Sequence, residues 1–490
     1  MIIQANFSPS GLPKGTDVAQ LTSHVTASVT SMVNRCGLDP ETASGLRVHL
    51  DWVHYRSAFR DPVTLRRSVD QQGRYRPLTE IAIDLRQFDK EHLQAQLSAA
   101  MNALRNGSAP AGSESPVFLE GFTPWRDSMI WNFNRLFWRR LGDWEAAMKR
   151  GYENALPSGG SDANHPDAVA DSVGDFWTLL RDLDARGQLP AEVYAMEIGV
   201  GSGARARLWL DKFIALDTEC GTGYYSKLRF LLGDYSPATL DTALVAVGPH
   251  APICSVIAID AQNPFKTLSF LRFKILFIHL TNVYDNLSFD EIARRDGYLY
   301  LVEVRPFLHE ATARAIAADF NLDVAQLPAT IAQLLEIGPE ALGDLNRGVD
   351  FWNRVYTGLR MQERLRMLDE GDDAHLPKGV GRSPLDDLLA EAPADIRFHL
   401  SRGAAESFVN TVPLLHPRGY LQVQDIFVSN MQEYAQGFKG PGKLDASFVT
   451  WVNGSFLRAV GARAGFDVHF APFKYRPGSR TQILYTTPRD

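Results

Sequence analysis

The strongest constraint on the fold is an apolar run, Val193 to Ile198, that enters Gly199-Val200-Gly201-Ser202-Gly203 and then a helical pattern from Ala204 to about Leu216. Three glycines at alternate positions remove every Cβ from the turn. The backbone can therefore bend sharply against a ligand while the next helix directs its first N–H groups inward. A nucleotide-like ligand belongs there. Glu197 precedes the first glycine by two residues, and a carboxylate there opposes a pyrophosphate but suits a cation. Ala204 also completes the looser pattern Gly-x-Gly-x-x-Ala, which keeps a dinucleotide open.

The rest of the alternation fits this start. Strands are predicted at Leu228–Gly233, Ile253–Ile259, Lys274–Leu280 and Gly419–Ile426, with helices between them. The fold class is α/β, a doubly wound, Rossmann-like parallel sheet whose ligand groups collect at the C-terminal strand ends. Polar residues stand at those ends. Asp234-Tyr235-Ser236-Pro237 follows strand two, Asp260-Ala261 strand three, and Thr281-Asn282-Val283-Tyr284-Asp285 strand four. Asp234 is placed for a ribose diol and Asp260 for an adenine amino group. A dinucleotide enzyme usually places its ribose acid about 20 residues past the turn, whereas Asp234 lies 37 residues past Glu197. The tail reads as an antiparallel hairpin, Phe466–Phe473 with Thr481–Thr486 across Arg476-Pro477-Gly478-Ser479.

Outside this frame, residues 1–106 read as an accessory α/β region, with a helix at Val18–Cys36, a strand at Leu78–Leu85 and a helix at Glu91–Leu104. Gly107 to Ser113 and Ser158 to Ser161 read as flexible breaks. The first break is followed by a connector, 116–190, with Trp125, Trp131, Trp138 and Trp144 close together. Packing on the body or on a second subunit, as in a homodimer, is the plain account of so many indoles, and a wall of the acceptor site is the alternative. Segment 308–404 interrupts the domain 191–490 as a helical lid, with a helix over Val355–Leu368. Its loop Gly371–Pro384 is too poor in apolar residues for core. A last helix is predicted over Ser447–Ala464.

Composition excludes several partners. Net charge is -7, from 57 acids and 50 bases, so no basic footprint for nucleic acid exists. No stretch approaches the ~20 apolar residues of a membrane span. Cys36, Cys220 and Cys254 are far apart and odd in number, which argues for a reducing compartment and against a metal or disulfide framework. Met1 to Gln20 shows no export pattern, so a cytoplasmic protein is expected.

Glu197-Ile198-Gly199-Val200-Gly201-Ser202-Gly203 resembles motif I of class I S-adenosylmethionine (SAM)-dependent methyltransferases, whose cofactor carries an ammonium and a sulfonium and no phosphate. From about Ser172 onward the chain resembles the MidA-like (complex I assembly factor) family of these enzymes, whose best-known members methylate an arginine of a respiratory-complex subunit. Asp234-Tyr235-Ser236-Pro237 is similar to its acidic-x-Ser-Pro, Asp285-Asn286-Leu287-Ser288 to its Asp-x-Leu-Pro, and Pro441 to Asp445 to its late Gly/Asp-rich segment. The family's Asn-Glu falls on Thr281-Asn282, and its late His and Asp on Val449 and Trp451. A guanidinium acceptor asks for a fixed carboxylate pair, so Asn282 argues against arginine. The resemblance implies a SAM methyltransferase acting on an N or O nucleophile of a protein or small molecule. Glu197, Gly199, Gly201, Gly203, Asp234, Tyr235, Ser236, Asp260 and Ala261 would hold cofactor. Asp285 would be the base, Asn282 an orienting acceptor and Tyr284 a neighbour of the methyl. An inactive assembly scaffold on the same fold and an NAD(P)-dependent oxidoreductase are the competing readings.

Overall fold

The computed structural model describes residues 2–6, 15–51, 59–84, 90–106, 116–152, 160–369, 371–438 and 440–489. The predicted break Gly107–Ser113, and Ser158 and Gly159 of the second, lie outside the described residues.

One sheet has seven strands: β1 Val193–Ile198, β2 Leu228–Asp234, β3 Cys254–Ala258, β4 Ile275–Thr281, β5 Leu415–Asp425, β6 Phe466–Pro472 and β7 Gln482–Pro488. Their lateral order is β3-β2-β1-β4-β5-β7-β6. The first five strands run parallel, while β7 is antiparallel to both β5 and β6. The central strands are mostly apolar because both faces are covered. Phe176 and Trp209, from helices Pro166–Ala185 and Ala204–Cys220, pack on Phe277 on one face. Phe408 and Leu457, from helices Arg402–Thr411 and Gly454–Arg463, share the core of the other face with Met196 and Ile278.

A second sheet has ten strands, of which the sequence predicts one, Leu78–Leu85, found as the strand Tyr75–Asp84. Its main path runs Ile2–Asn6, Leu46–Asp51, Tyr75–Asp84, Val63–Val69, Arg360–Met367, Tyr298–Leu308, Asp290–Arg295, Ile396–Leu400. Four of these strands come from residues 1–106 and four from the stretch between β4 and β5. They meet where Val63–Val69 pairs in parallel with Arg360–Met367. Helices Val18–Cys36 and Lys90–Asn106 cover the N-terminal strands through Val25, Val29, Leu97 and Met101.

Segment 308–404 is therefore not wholly helical. Helix Leu345–Gly358 stops eleven residues after Arg347, and the predicted continuation to Leu368 is instead the strand Arg360–Met367. Met361, Glu363 and Leu365 alternate inward there, and the period of two was hidden because one inward residue is charged. The last predicted helix begins only at Gly454, because Asn453 caps it by accepting the Phe456 N–H at 2.9 Å. The indoles pack within the chain. Trp125, Trp131 and Trp144 are buried in one cluster with Ile331 and Trp352 of the inserted helices. Among the described residues no helix is long and apolar enough to cross a membrane.

Candidate functional site

β1 delivers the glycine turn to the carboxyl ends of the strands, between β2 and β4, where the strand order reverses. All three glycines are left-handed, with φ of 75°, 54° and 78° at Gly199, Gly201 and Gly203. They serve different ends. A Cβ on Gly199 would lie 2.5 Å from Val283 Cγ2, and one on Gly203 2.8 Å from Ala243 Cα, so these two permit close packing. A Cβ on Gly201 would meet nothing within 4 Å, and this residue faces open space.

Asp234 closes one side of the turn. Its Oδ2 accepts the Gly201 N–H at 3.2 Å and its Oδ1 the Ser236 N–H at 3.1 Å. Burial raises this carboxyl above its ordinary value, partly offset by those N–H donors. Ile259 N–H donates to the Asp234 carbonyl at 2.9 Å, which sets Asp260 beside it. Asp260 is exposed, with Oδ1 accepting the Gln262 N–H at 2.9 Å, and Ala261 is half-buried. Tyr235 is exposed at the rim. Ser236 is buried, and its hydroxyl caps helix Pro237–Ala246 by accepting the Thr239 N–H at 3.3 Å.

Glu197 has a partner inside the protein. Its Oε2 lies 3.1 Å from Arg205 Nη1, and both side chains are buried. Burial raises the carboxyl and lowers the guanidinium, while each favours the other's charged form. Arg205 is the second residue of the helix that the glycines open, so the strand-turn-helix unit brings the two together. A polar layer continues beneath them. Ser172 Oγ donates to Gln422 at 3.4 Å, and Gln422 Oε1 meets His279 Nδ1 at 2.8 Å, with Gln422 and His279 in register on β5 and β4. Burial is the main cause that holds the His279 imidazole well below its usual range, hence neutral.

The loop after β4 holds the other predicted residues. Asn282 takes φ of 51° and donates its N–H to the Gln424 carbonyl at 3.0 Å. Tyr284 is core: its ring is buried among apolar side chains and burial holds its phenol well above the usual range. Asp285 is buried against a residue the sequence reading passed over, Asp425 at the end of β5. Asp425 accepts the N–H groups of Tyr284 (2.9 Å), Asp285 (3.1 Å) and Ile426 (2.8 Å). Burial raises the Asp425 carboxyl to about 7 against the pull of those donors. Burial and then the Asp425 charge raise Asp285 well above the carboxylate range. The two buried carboxyls raise each other's cost of ionising, and Asp425 is the one that accepts three backbone N–H groups. Asn286 ties the loop to the Trp-rich helix Met129–Arg139. Its side chain donates to Asp285 Oδ1 at 2.8 Å and accepts the Trp138 Nε1–H at 3.0 Å, while its carbonyl accepts from Asn134 at 3.2 Å.

Five parallel strands with a glycine turn at the reversal point are shared by many nucleotide folds, but an antiparallel strand inserted beside β5 is not. This is the class I methyltransferase fold. No family model matches the chain, and no curated protein matches it. Among solved structures, it is similar to an uncharacterized protein from Burkholderia thailandensis at 13% identity, covering 75% of this chain and 87% of that one with a TM-score of 0.43. A protein from the same organism bound to S-adenosyl-homocysteine is similar at 13% identity over 75% of this chain and 88% of that one, TM-score 0.44. An O-methyltransferase family protein from Burkholderia thailandensis is similar at 9% identity, 74% and 72% coverage, TM-score 0.27. The methyltransferase fold is read from the strand order, not from these likenesses.

Proposed function

We propose that the chain is a SAM-dependent methyltransferase acting on an N or O nucleophile. The observation that carries this reading is the open Gly201 turn beside Asp234, at the reversal point of a sheet that ends in an antiparallel strand. The residues fit the nucleoside end of the cofactor: Gly201 offers close backbone approach, Asp234 a carboxylate for the ribose diol, and Asp260 with Ala261 the adenine edge. The methionine end fits differently from the expectation, since Glu197 already has Arg205 as its counter-ion.

When bound, SAM supplies a methyl on a sulfonium carbon. The chain's own part is to hold a nucleophile in line and exclude water. The loop after β4 supplies the polar groups: Asn282 orients the acceptor, and the Asp285–Asp425 pair takes its proton when the acceptor arrives protonated. Because the pair is raised, this step weakens as pH falls below neutrality.

The Glu197–Arg205 pair also gives the oxidoreductase a specific support, since a neutralised acid no longer repels a pyrophosphate. Calorimetry on the full chain separates the two. S-adenosyl-homocysteine should bind and NADH should not; NADH binding alone would replace the methyltransferase by a dehydrogenase.

A further inference from the structure

The ten-stranded sheet carries charged residues on one buried face, in register from strand to strand. Arg66 pairs with Glu80 and Glu363 across two neighbouring strands, and Glu291 stands opposite His399. The side chains of Glu80, Glu291 and Glu363 have no exposed surface. The array is uneven. Three guanidiniums converge on Glu363: Arg60 Nη2 at 2.7 Å, Arg397 Nη2 at 2.8 Å, and Arg66, whose Nε contacts Oε2. Arg397 also holds Glu291 and Arg66 also holds Glu80, which Arg295 contacts at 2.6 Å. Among the described residues, four buried guanidiniums thus share three buried carboxylates. The excess positive charge sits at the Arg60 end. Burial, with repulsion from Arg397 and Arg66, lowers Arg60 to about 10 despite Glu363.

Among the described residues, Arg66 Nη2 is buried without a hydrogen-bond partner, as are Nε1 of Trp125, which packs on Phe59 beside Arg60 in sequence, and Nε1 of Trp131. A buried N–H left unpaired costs about 1–3 kcal/mol, more on a charged group, so the Arg66 fork above all asks for an acceptor. Aromatic rings surround them. Arg60 and Arg397 lie 5.6 and 4.4 Å over Phe438, Phe59 packs 6.5 Å from Trp125, and Trp131 4.3 Å from Phe448. The cluster reaches the loop after β4 through His399, whose Nδ1 lies 3.0 Å from Thr450 Oγ1, and Thr450 donates its N–H to the Asp285 carbonyl at 3.4 Å.

We propose that the Arg60–Arg66–Arg397 cluster is an anion subsite of the acceptor region, and that the molecule methylated here carries a carboxylate. One excess positive charge matches a monoanion, and planar guanidinium forks between aromatic rings match a flat carboxylate better than a tetrahedral dianion. The acceptor role rests on the methyltransferase reading; the anion site itself does not.

The test uses the full chain, with benzoate as probe, benzamide as its neutral isostere, and S-adenosyl-homocysteine titrated separately by calorimetry. Benzoate should bind at least tenfold more tightly than benzamide. Arg60→Met should lose that preference, keep S-adenosyl-homocysteine affinity within threefold, and melt no lower than the unmodified protein, because Glu363 keeps Arg66 and Arg397 while the one charge in excess of the carboxylates is removed. Arg60→Lys should retain the preference. Equal binding of the two probes, or none, overturns the subsite, as does Arg60→Met that melts lower while still preferring benzoate. Benzoate binding without S-adenosyl-homocysteine binding would leave the subsite standing and remove the methyltransferase reading.

Discussion

At the residue scale, the glycines of one turn separate by what lies above them. Gly203→Ala places a methyl against the Ala243 backbone at a φ of 78°, so it should cost more than the about 1–2 kcal/mol of a left-handed alanine alone. Gly201→Ala pays only the conformational part and should fold, yet lose S-adenosyl-homocysteine binding because its methyl enters the open approach. Melting and calorimetry on both variants check this; equal melting losses would show that Gly201 is packed too. Asp425 makes a pH prediction. Its folded carboxyl titrates at about 7 against an ordinary 3.8, so between those values the folded state binds the proton that the unfolded chain has released. The proton's stabilising effect is complete below about 4 and lost as pH rises through 7. The unfolding free energy of the unmodified protein relative to Asp425→Asn should therefore fall over that interval in urea titrations. A difference that grows with pH would mean the carboxyl is not raised. Asp425 was legible in principle, because it ends its strand as Asp234 does. Arg205 was also in view, eight residues after Glu197, but only the folding back of helix on strand makes them partners.

At the element scale, the loop Gly371–Pro384 corrects an argument from composition. Its few apolar residues suggested a dispensable lid, yet Leu376 joins the main core and His375 is buried. Arg402 donates to the carbonyls of Ala374 (3.3 Å) and Leu376 (2.7 Å), and Glu406 accepts the Lys378 N–H at 2.9 Å. Glu406 in turn contacts Gln262 at 3.5 Å, two residues past Asp260. Deleting the loop should lower stability by about 2–3 kcal/mol, the burial of one leucine and a stranded guanidinium, and weaken S-adenosyl-homocysteine as well. A deletion variant with unchanged melting and unchanged affinity would restore the lid. The hairpin Asp290–Arg295 to Tyr298–Leu308 was missed although its turn is Asp296-Gly297, both at positive φ (51° and 82°), the strongest local hairpin signal a sequence offers.

At the scale of the whole molecule, the N-terminal strands and the insertion complete each other. Arg66 and Glu363 are 297 residues apart in sequence and in contact across adjacent strands. A chain begun at residue 116 would strip Glu363 of Arg60 and Arg66 and leave Arg360–Met367 an open edge. Breaking such a buried pair costs about 3–5 kcal/mol and an unpaired edge invites association, so the truncated chain should aggregate or melt without cooperativity. A soluble, sharply melting 116–490 fragment would show two independent units. What the sequence alone determined was the seven-stranded sheet, its glycine turn and the acids at its strand ends, because burial on both faces writes continuous apolar runs and strand ends follow from those runs. What only the tertiary structure decided was the ten-stranded sheet, the Glu197–Arg205 pair and the Asp285–Asp425 pair. Strand pairing uses the same backbone groups whatever the partner, so a partner hundreds of residues away is chosen by side chains that meet only after folding. For the same reason a buried charge reads as a surface residue until its counter-ion is in place.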